Sequence, residues 1–334
     1  MRNLTFLIVS LVAALAVFLL LHAIGNEYLF VAGYVVVQYI VLATAWNILG
    51  GYTGYVNFGS AAFFAVGAYS SVALITFATH IEDWFPENVA AALNIVFPLP
   101  IPVLIVIAGV VAGLIGLGMG YLTLRLRGAF FAIATLALAV VLATLVVNWE
   151  FVGGSSGAYV IAPAEMPVFS SYKQYLFALM LALAACSLTV ARTVERSKLG
   201  YGFAAIRDDE LAAEASGVPT LKLKLVATTL SGALMGMAGA PFPYFIGFLQ
   251  PSSAFSLEYA VNSIAMPMIG GTMSWIGPLV GAVLLGTLQQ IANVTISSAV
   301  NLLIVGLLLI VFVIIAPNGI VGLVQDWRRA RRKK

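Results

Sequence analysis

RDDELAAEASG, residues 207–217, is an island of charge in a chain that has very little of it. Arg207, Asp208, Asp209, Glu210 and Glu214 are ionised at neutral pH. Yet Asp, Glu, Lys and Arg make up only 9% of the 334 residues, and hydrophobic residues make up 62%. A soluble domain carries about 25% charged residues, and no large core removes that need, because a soluble surface still has to be hydrated. Long apolar runs lie on both sides of the island, at 174–191 and 225–247. Each approaches the roughly 20 residues that cross a bilayer. The island is therefore a loop outside the membrane between two spans. A membrane protein that concentrates its charge in one internal loop presents that loop to another protein.

Further apolar runs lie at 4–24, 29–49, 60–79, 98–122, 129–148, 259–274, 277–293 and 300–316. The expected fold is all-α: one polytopic permease-like bundle over residues 1–334, with about 8–10 membrane helices, some broken or re-entrant. The first run follows Arg2 as a leader would. No A-x-A cleavage pattern precedes Asn26 and further spans follow at once, so it reads as a retained span. Basic residues set the orientation. Arg2 opens the chain, and Arg125 and Arg127 follow the fourth run. Arg192, Arg196, Lys198, Arg207, Lys222 and Lys224 fill the loop at about 192–224, and a basic tail occupies 326–334. The other side holds Glu27, Glu82, Asp83, Glu87, Glu150 and Glu165, with Lys173 as its lone cation. The positive-inside rule places both termini and the 207–217 loop in the cytoplasm. The tail reads as a topology signal touching anionic headgroups, and nucleic acid is not an expected partner.

Two glycine-rich stretches depart from ordinary helix. GGYTGYVNFGSAAFF (50–64) adds Asn57 and Ser60 to dense glycine, which weakens a helix. Its bland reading is a turn followed by a helix. Its functional reading is an unwound segment beside a translocation path, where broken backbone is tolerated. MIGGTMSWIGPLVG (268–281) is interrupted at Gly270, Gly271 and Gly277. Paired interruptions of this kind point to a substrate path. Small-xxx-small spacings at Gly109/Gly113, Gly116/Gly120, Gly232/Gly236 and Gly277/Gly281 read as close helix packing.

Reactive chemistry is sparse. Cys186 is single, so it reads as a small buried or lipid-facing hydrophobe, and His22 and His80 lie at run ends as interfacial residues. No ionisable residue lies in mid-run, which argues against a proton-driven carrier. There is no phosphate-binding G-x-x-x-x-G-K-[ST] loop and no H-E-x-x-H or G-x-S-x-G motif. GGSSG at 153–157 reads as a flexible outer loop. An enzyme is not expected, nor a cofactor or metal bound by this chain. Gln38, Asn47, Asn57, Thr135, Asn148, Asn262, Gln289, Gln290 and Asn293 are expected inside, either lining a path for a polar solute or bonding helices together.

Asp208, Asp209 and Glu210 suit a helix N-terminus, Ala212 and Ala213 favour the helix, and Gly217 with Pro219 ends it. The expectation is one short exposed helix over 207–217. The Ala212-Ala213 to Gly217 run resembles the EAA loop of ABC-importer permeases, with Leu211 where a glutamate often stands. SKLGYGFAAIRDDELAAEASGV (197–218) resembles the branched-chain amino acid permease family, of LivH/LivM type and the LivM branch in particular. GGYTGYVNFGSAAFFAVGAY (50–69), RLRGAFFAIATLALA (125–139) followed by GGSSG, and MIGGTMSWIGPLVGA (268–282) agree in the same order. The resemblance implies a homologous second permease, two cytoplasmic ATPases that use the ATP, and an extracytoplasmic binding protein, all in a bacterial or archaeal inner membrane. It also implies a coupling loop at Arg207, Asp208, Asp209, Glu210, Ala212, Ala213, Glu214 and Gly217. Val140 stands where many relatives have an acid, and Pro267 interrupts a usually aliphatic run. Substrates of the family extend from branched-chain amino acids to amides and urea. A stand-alone channel or sodium-coupled carrier for a small polar solute is the alternative.

Overall fold

The computed structural model describes residues 3–123, 125–161 and 169–295, with short pieces at 303, 306–307, 310, 314 and 319–323. Arg2, Glu165, the basic tail and most of the tenth run lie outside the described residues. The helices are α1 (Asn3–Ile24), α2 (Glu27–Thr53), α3 (Ser60–Thr79), α4 (Ile81–Trp84), α5 (Glu87–Asn94), α6 (Ile101–Thr123), α7 (Ala129–Val147), α8 (Tyr172–Glu195), α9 (Lys198–Asp208), α10 (Glu210–Ala215), α11 (Thr220–Gly239), α12 (Phe242–Ile246), α13 (Pro251–Ala254), α14 (Leu257–Gly270) and α15 (Ile276–Thr295). Eight of them are long and apolar enough to cross a membrane. The protein is a multi-pass helical membrane bundle.

Helix α2 is the axis of the bundle. The Asn26 side chain caps it by accepting from the Tyr28 N–H at 3.0 Å, and Gly54 ends it at φ +77°. Almost everything from Val37 to Thr53 is buried, and α8, α11, α14 and α15 pack around it. Helix α1 differs, because none of its residues is buried. Glycines bring α3, α6 and α11 together. A methyl at Gly236 would collide with Ala112, one at Gly67 with the Gly236 carbonyl, and one at Gly239 with the Phe64 carbonyl. Gly109, Gly113 and Gly116 face Met237, Ala233 and Thr228 across the same contact. Where lipid tails give apolar helices no reason to associate, backbone approach of this kind supplies the dispersion contact.

Alternation of the helices puts the ends of α2, α6, α8 and α14, and the starts of α3, α7, α11 and α15, on one face. The described cations gather there, apart from Lys173. The opposite face carries α4, α5, α12, α13 and two residue pairs of antiparallel strand, Ala158–Leu249 and Tyr159–Phe248.

Four readings of the sequence are corrected. The eighth run forms α14, only 14 residues long. At 1.5 Å per residue that is about 21 Å, short of the roughly 30 Å apolar layer. Helices α8 and α11 continue past their apolar runs, so Arg192 and Lys224 are helical and buried. GGSSG is wound into a 3-10 turn at Gly154–Ser156, and Gly157 lies against Leu249. Of the nine polar residues expected inside, Asn148 and Asn293 are exposed and Gln290 is half-buried, because they fall on outward helix faces. Cys186 is exposed on the apolar surface.

Candidate functional site

The expected single helix over 207–217 is two helices. Asp209 adopts extended backbone (φ −161°), and its carboxylate accepts from the Ala212 N–H at 3.0 Å. An Asp side chain that competes for a backbone donor in this way ends one helix and caps the next. Arg207 and Asp208 therefore belong to α9, and Glu210, Ala212, Ala213 and Glu214 to α10. Gly217, at φ +82°, turns the chain so that the Val218 N–H reaches the Ala213 carbonyl at 3.0 Å. Ala213 is buried, Ala212 and Asp208 face solvent, and Leu211 and Tyr201 stand 62% and 76% exposed on the same helix pair.

Glu210 points inward. It accepts from Lys224 Nζ at 2.6 Å and from the Tyr55 hydroxyl. Lys224 also donates to Tyr55 at 3.3 Å and stacks over its ring at 4.6 Å. Arg127 reaches Glu214 at 3.1 Å, and Thr220 donates to the other oxygen of Glu214 at 2.7 Å. Burial pushes the Glu210 carboxyl up, but the hydrogen bonds from Lys224 and Tyr55 and the charges of Lys224 and Arg127 outweigh it and hold the group below the ordinary glutamate value. Burial, and then the neighbouring Glu210, push the Tyr55 hydroxyl upward. A cleft of about 570 Å³ opens beside this cluster, between Gly54–Val56, the start of α7 and Arg207.

Tyr55 belongs to the non-helical segment 54–59, which turns back into the bundle. Trp46 Nε1 donates to the Asn57 carbonyl at 3.0 Å, and the Asn57 side chain accepts from the Gly59 N–H at 2.7 Å. The Phe58 N–H reaches Thr135 Oγ1 at 3.2 Å. Ser60 opens α3 and meets Ser263 at 3.0 Å, both fully buried. Ser263 lies seven residues from the end of α14, about 10 Å inside the bundle. Helix α3 therefore starts beside the middle of α14. Beside it, Asn262 donates to Tyr39 at 3.0 Å and accepts from Gln289 at 2.9 Å.

The second glycine-rich stretch meets the first. Asn47 donates to the Ser274 carbonyl at 3.4 Å, and Gly51 sits against the Thr272 carbonyl. Gly270, Gly271 and Gly277 are buried in the α14–α15 contact, where a methyl at Gly270 or Gly277 would strike facing backbone. Val140 is 59% exposed and Pro267 is buried. Sequence reasoning missed Tyr55, Arg127, Thr220 and Lys224 as partners of α10, and Ser263 as partner of Ser60. Each pair is separated by more than 80 positions except those with Thr220 and Lys224, and no spacing rule links the distant ones.

A family model described as "Branched-chain amino acid transport system / permease component" matches residues 28–313. The chain is 27% identical to the high-affinity branched-chain amino acid transport system permease protein LivM of Escherichia coli, over 86% of this chain and 68% of that one. It is 26% identical to the probable branched-chain amino acid transport permease protein LivH of Methanocaldococcus jannaschii, over 70% of this chain and 76% of that one. It is also 25% identical to the autoinducer 2 import system permease protein LsrC of Yersinia enterocolitica, over 61% and 56% respectively. No solved structure matches.

Proposed function

The chain belongs to the branched-chain amino acid transport system permease component family, and from that premise we propose that it is one membrane subunit of an ATP-driven importer moving branched-chain amino acids, or a related small polar solute, into the cytoplasm. The whole chain acts as one permease domain in the inner membrane of a bacterium or archaeon, with its termini and the α9–α10 pair in the cytoplasm. A homologous second permease, two ATP-binding subunits and an extracytoplasmic binding protein complete the machine. ATP is bound and hydrolysed on the partners.

The observation that carries the reading is the connection from α10 to the start of α3. Leu211, Tyr201 and Ala212 offer a small exposed surface for an ATPase. Behind it, Glu210 ties α10 to Tyr55, and Tyr55 lies in the segment that leads through Asn57 to Ser60. Closure of the ATPase pair displaces α10, and the displacement reaches the start of α3, packed against the middle of α14. Asn57 and Ser60, with Ser263, Asn262 and Gln289, supply hydroxyl and amide groups for a polar path. Gly270, Gly271 and Gly277 let α14 and α15 slide as a closely packed pair beside that path. The solute needs no bond chemistry, because ATP binding biases two arrangements of the bundle.

The test is ATP-driven uptake by the reconstituted complex. Gly217→Trp puts a bulky group at a turn held at positive φ and on the ATPase-facing surface. It is expected to abolish uptake and ATPase copurification while the permease stays folded. Full uptake by Gly217→Trp would overturn the docking assignment. The solute class follows from which compounds raise the melting temperature of the cognate binding protein, with leucine, isoleucine and valine tried first.

A further inference from the structure

Arg192 is a buried arginine. It lies on the last turn of α8, is 5% exposed, and its Nε and Nη1 are buried without a hydrogen-bond partner. Its guanidinium rests on the ring of Phe6 at 4.1 Å and near that of Trp275 at 5.9 Å. The carboxylate one turn away, on Glu195, is occupied by the Trp275 N–H at 2.7 Å and the Tyr52 hydroxyl at 3.3 Å. Among the described residues no carboxylate pairs with Arg192. A buried cation without a counter-charge is costly.

Phe6 and Trp275 also form one end of an apolar cleft of about 650 Å³. Its walls are α1, α2, α8 and α15, and it runs beside α1 from Phe6 to Leu21, about 22 Å. Helix α1, none of whose residues is fully buried, closes one side, with Phe6 against Trp275 at one end and Phe18 stacked on Phe177 towards the other. A guanidinium with no carboxylate among the described residues, beside the Phe6–Trp275 end of an apolar groove long enough for one acyl chain, matches one kind of molecule: a lipid with a phosphate head and an acyl tail.

We propose that this cleft holds an anionic phospholipid of the leaflet beside the basic face, its phosphate on Arg192 and one acyl chain along α1 between Val9 and Leu21. Charge complementarity selects the occupant. The residues at 301–317, NLLIVGLLLIVFVIIAP, are apolar enough to fill the groove but carry no acid to meet Arg192. The lipid wedges α1 to the bundle and satisfies the buried charge.

The experiment is thermal unfolding of the purified, delipidated full-length chain with added phosphatidylglycerol, phosphatidylcholine or inorganic phosphate, alongside native mass spectrometry. Phosphatidylglycerol is expected to bind roughly five- to tenfold more tightly than phosphatidylcholine, the scale of one headgroup charge contact, and to raise the melting temperature. Inorganic phosphate alone is expected to do neither. Arg192→Gln should erase the preference and Arg192→Lys should keep part of it. Should Arg192→Gln fail to fold, Ala14→Trp fills the groove with the charge intact and should block the bound lipid. Equal binding of the two lipids, a preference surviving Arg192→Gln, or a phosphate effect matching that of the lipid would each overturn the proposal.

Discussion

Lys224 Nζ lies 2.6 Å from Glu210 Oε1, joining the second turn of membrane helix α11 to the first residue of α10. The Lys224 side chain is 3% exposed and that of Glu210 12% exposed. The two losses should therefore be unequal. Glu210→Gln takes the carboxylate from an ammonium that is almost wholly buried, whereas Lys224→Met leaves a more exposed carboxylate that still has Tyr55 and the Arg127 charge. Glu210→Gln is expected to cost on the order of 3 kcal/mol, more than Lys224→Met, and the double variant less than the sum. Thermal unfolding in detergent reads all three, and equal, additive losses would show that the pair carries no coupling.

The same carboxylate sets an acid limit. Because Glu210 is held below its ordinary value in the folded chain, its contribution is present in full above the unfolded glutamate value of about 4.3 and is lost as pH falls through the lower folded value. Anchoring of α10 should be constant from pH 7 to 5 and weaken below about pH 4. Amide exchange at Ala212–Ala215 measures it. In Glu210→Gln the acid-dependent increase should be absent.

These two expectations concern residues that the sequence announced unequally. Arg207–Gly217 stood out because charge is scarce, and dense glycine marked both broken segments. The ends of α8 and α11 were less legible, since apolar runs end where lipid ends while helices continue as long as backbone hydrogen bonds do. Tyr55 and Lys224 were hidden for another reason. A tyrosine among glycines and a lysine in KLKLK look like interfacial residues until a fold brings residues 55, 127, 210 and 224 together. The break at Asp209 was in principle readable, because an aspartate three residues before Ala212 is a capping residue as well as a first-turn acid.

Glycine packing gives a matched pair of substitutions. Gly277→Ala puts a methyl into the Gly271 carbonyl across the α14–α15 contact. Backbone has to separate, and folding yield and melting temperature should fall sharply, by about 2–3 kcal/mol or more. Gly118→Ala, on the exposed face of α6, meets nothing within 4 Å. It should be neutral or add up to ~1 kcal/mol through helix propensity. Similar effects from both would mean that the α14–α15 approach is not the constraint.

Transmission from α10 to α3 can be cut without touching the exposed surface. Tyr55→Phe keeps the ring against Phe131, at 5.1 Å and nearly perpendicular, and removes the hydroxyl shared by Glu210 and Lys224. Leu211, Tyr201 and Ala212 are unchanged, so ATPase subunits should still copurify and hydrolyse ATP. Uptake per ATP hydrolysed should fall several-fold, because α10 can now move without moving the segment that leads to Ser60. Leu211→Asp should do the opposite, losing the ATPases while the isolated permease keeps its melting temperature. If Tyr55→Phe lowered hydrolysis and uptake in proportion, the hydroxyl would serve docking and not transmission. If it lowered neither, the link through Tyr55 would be structural alone.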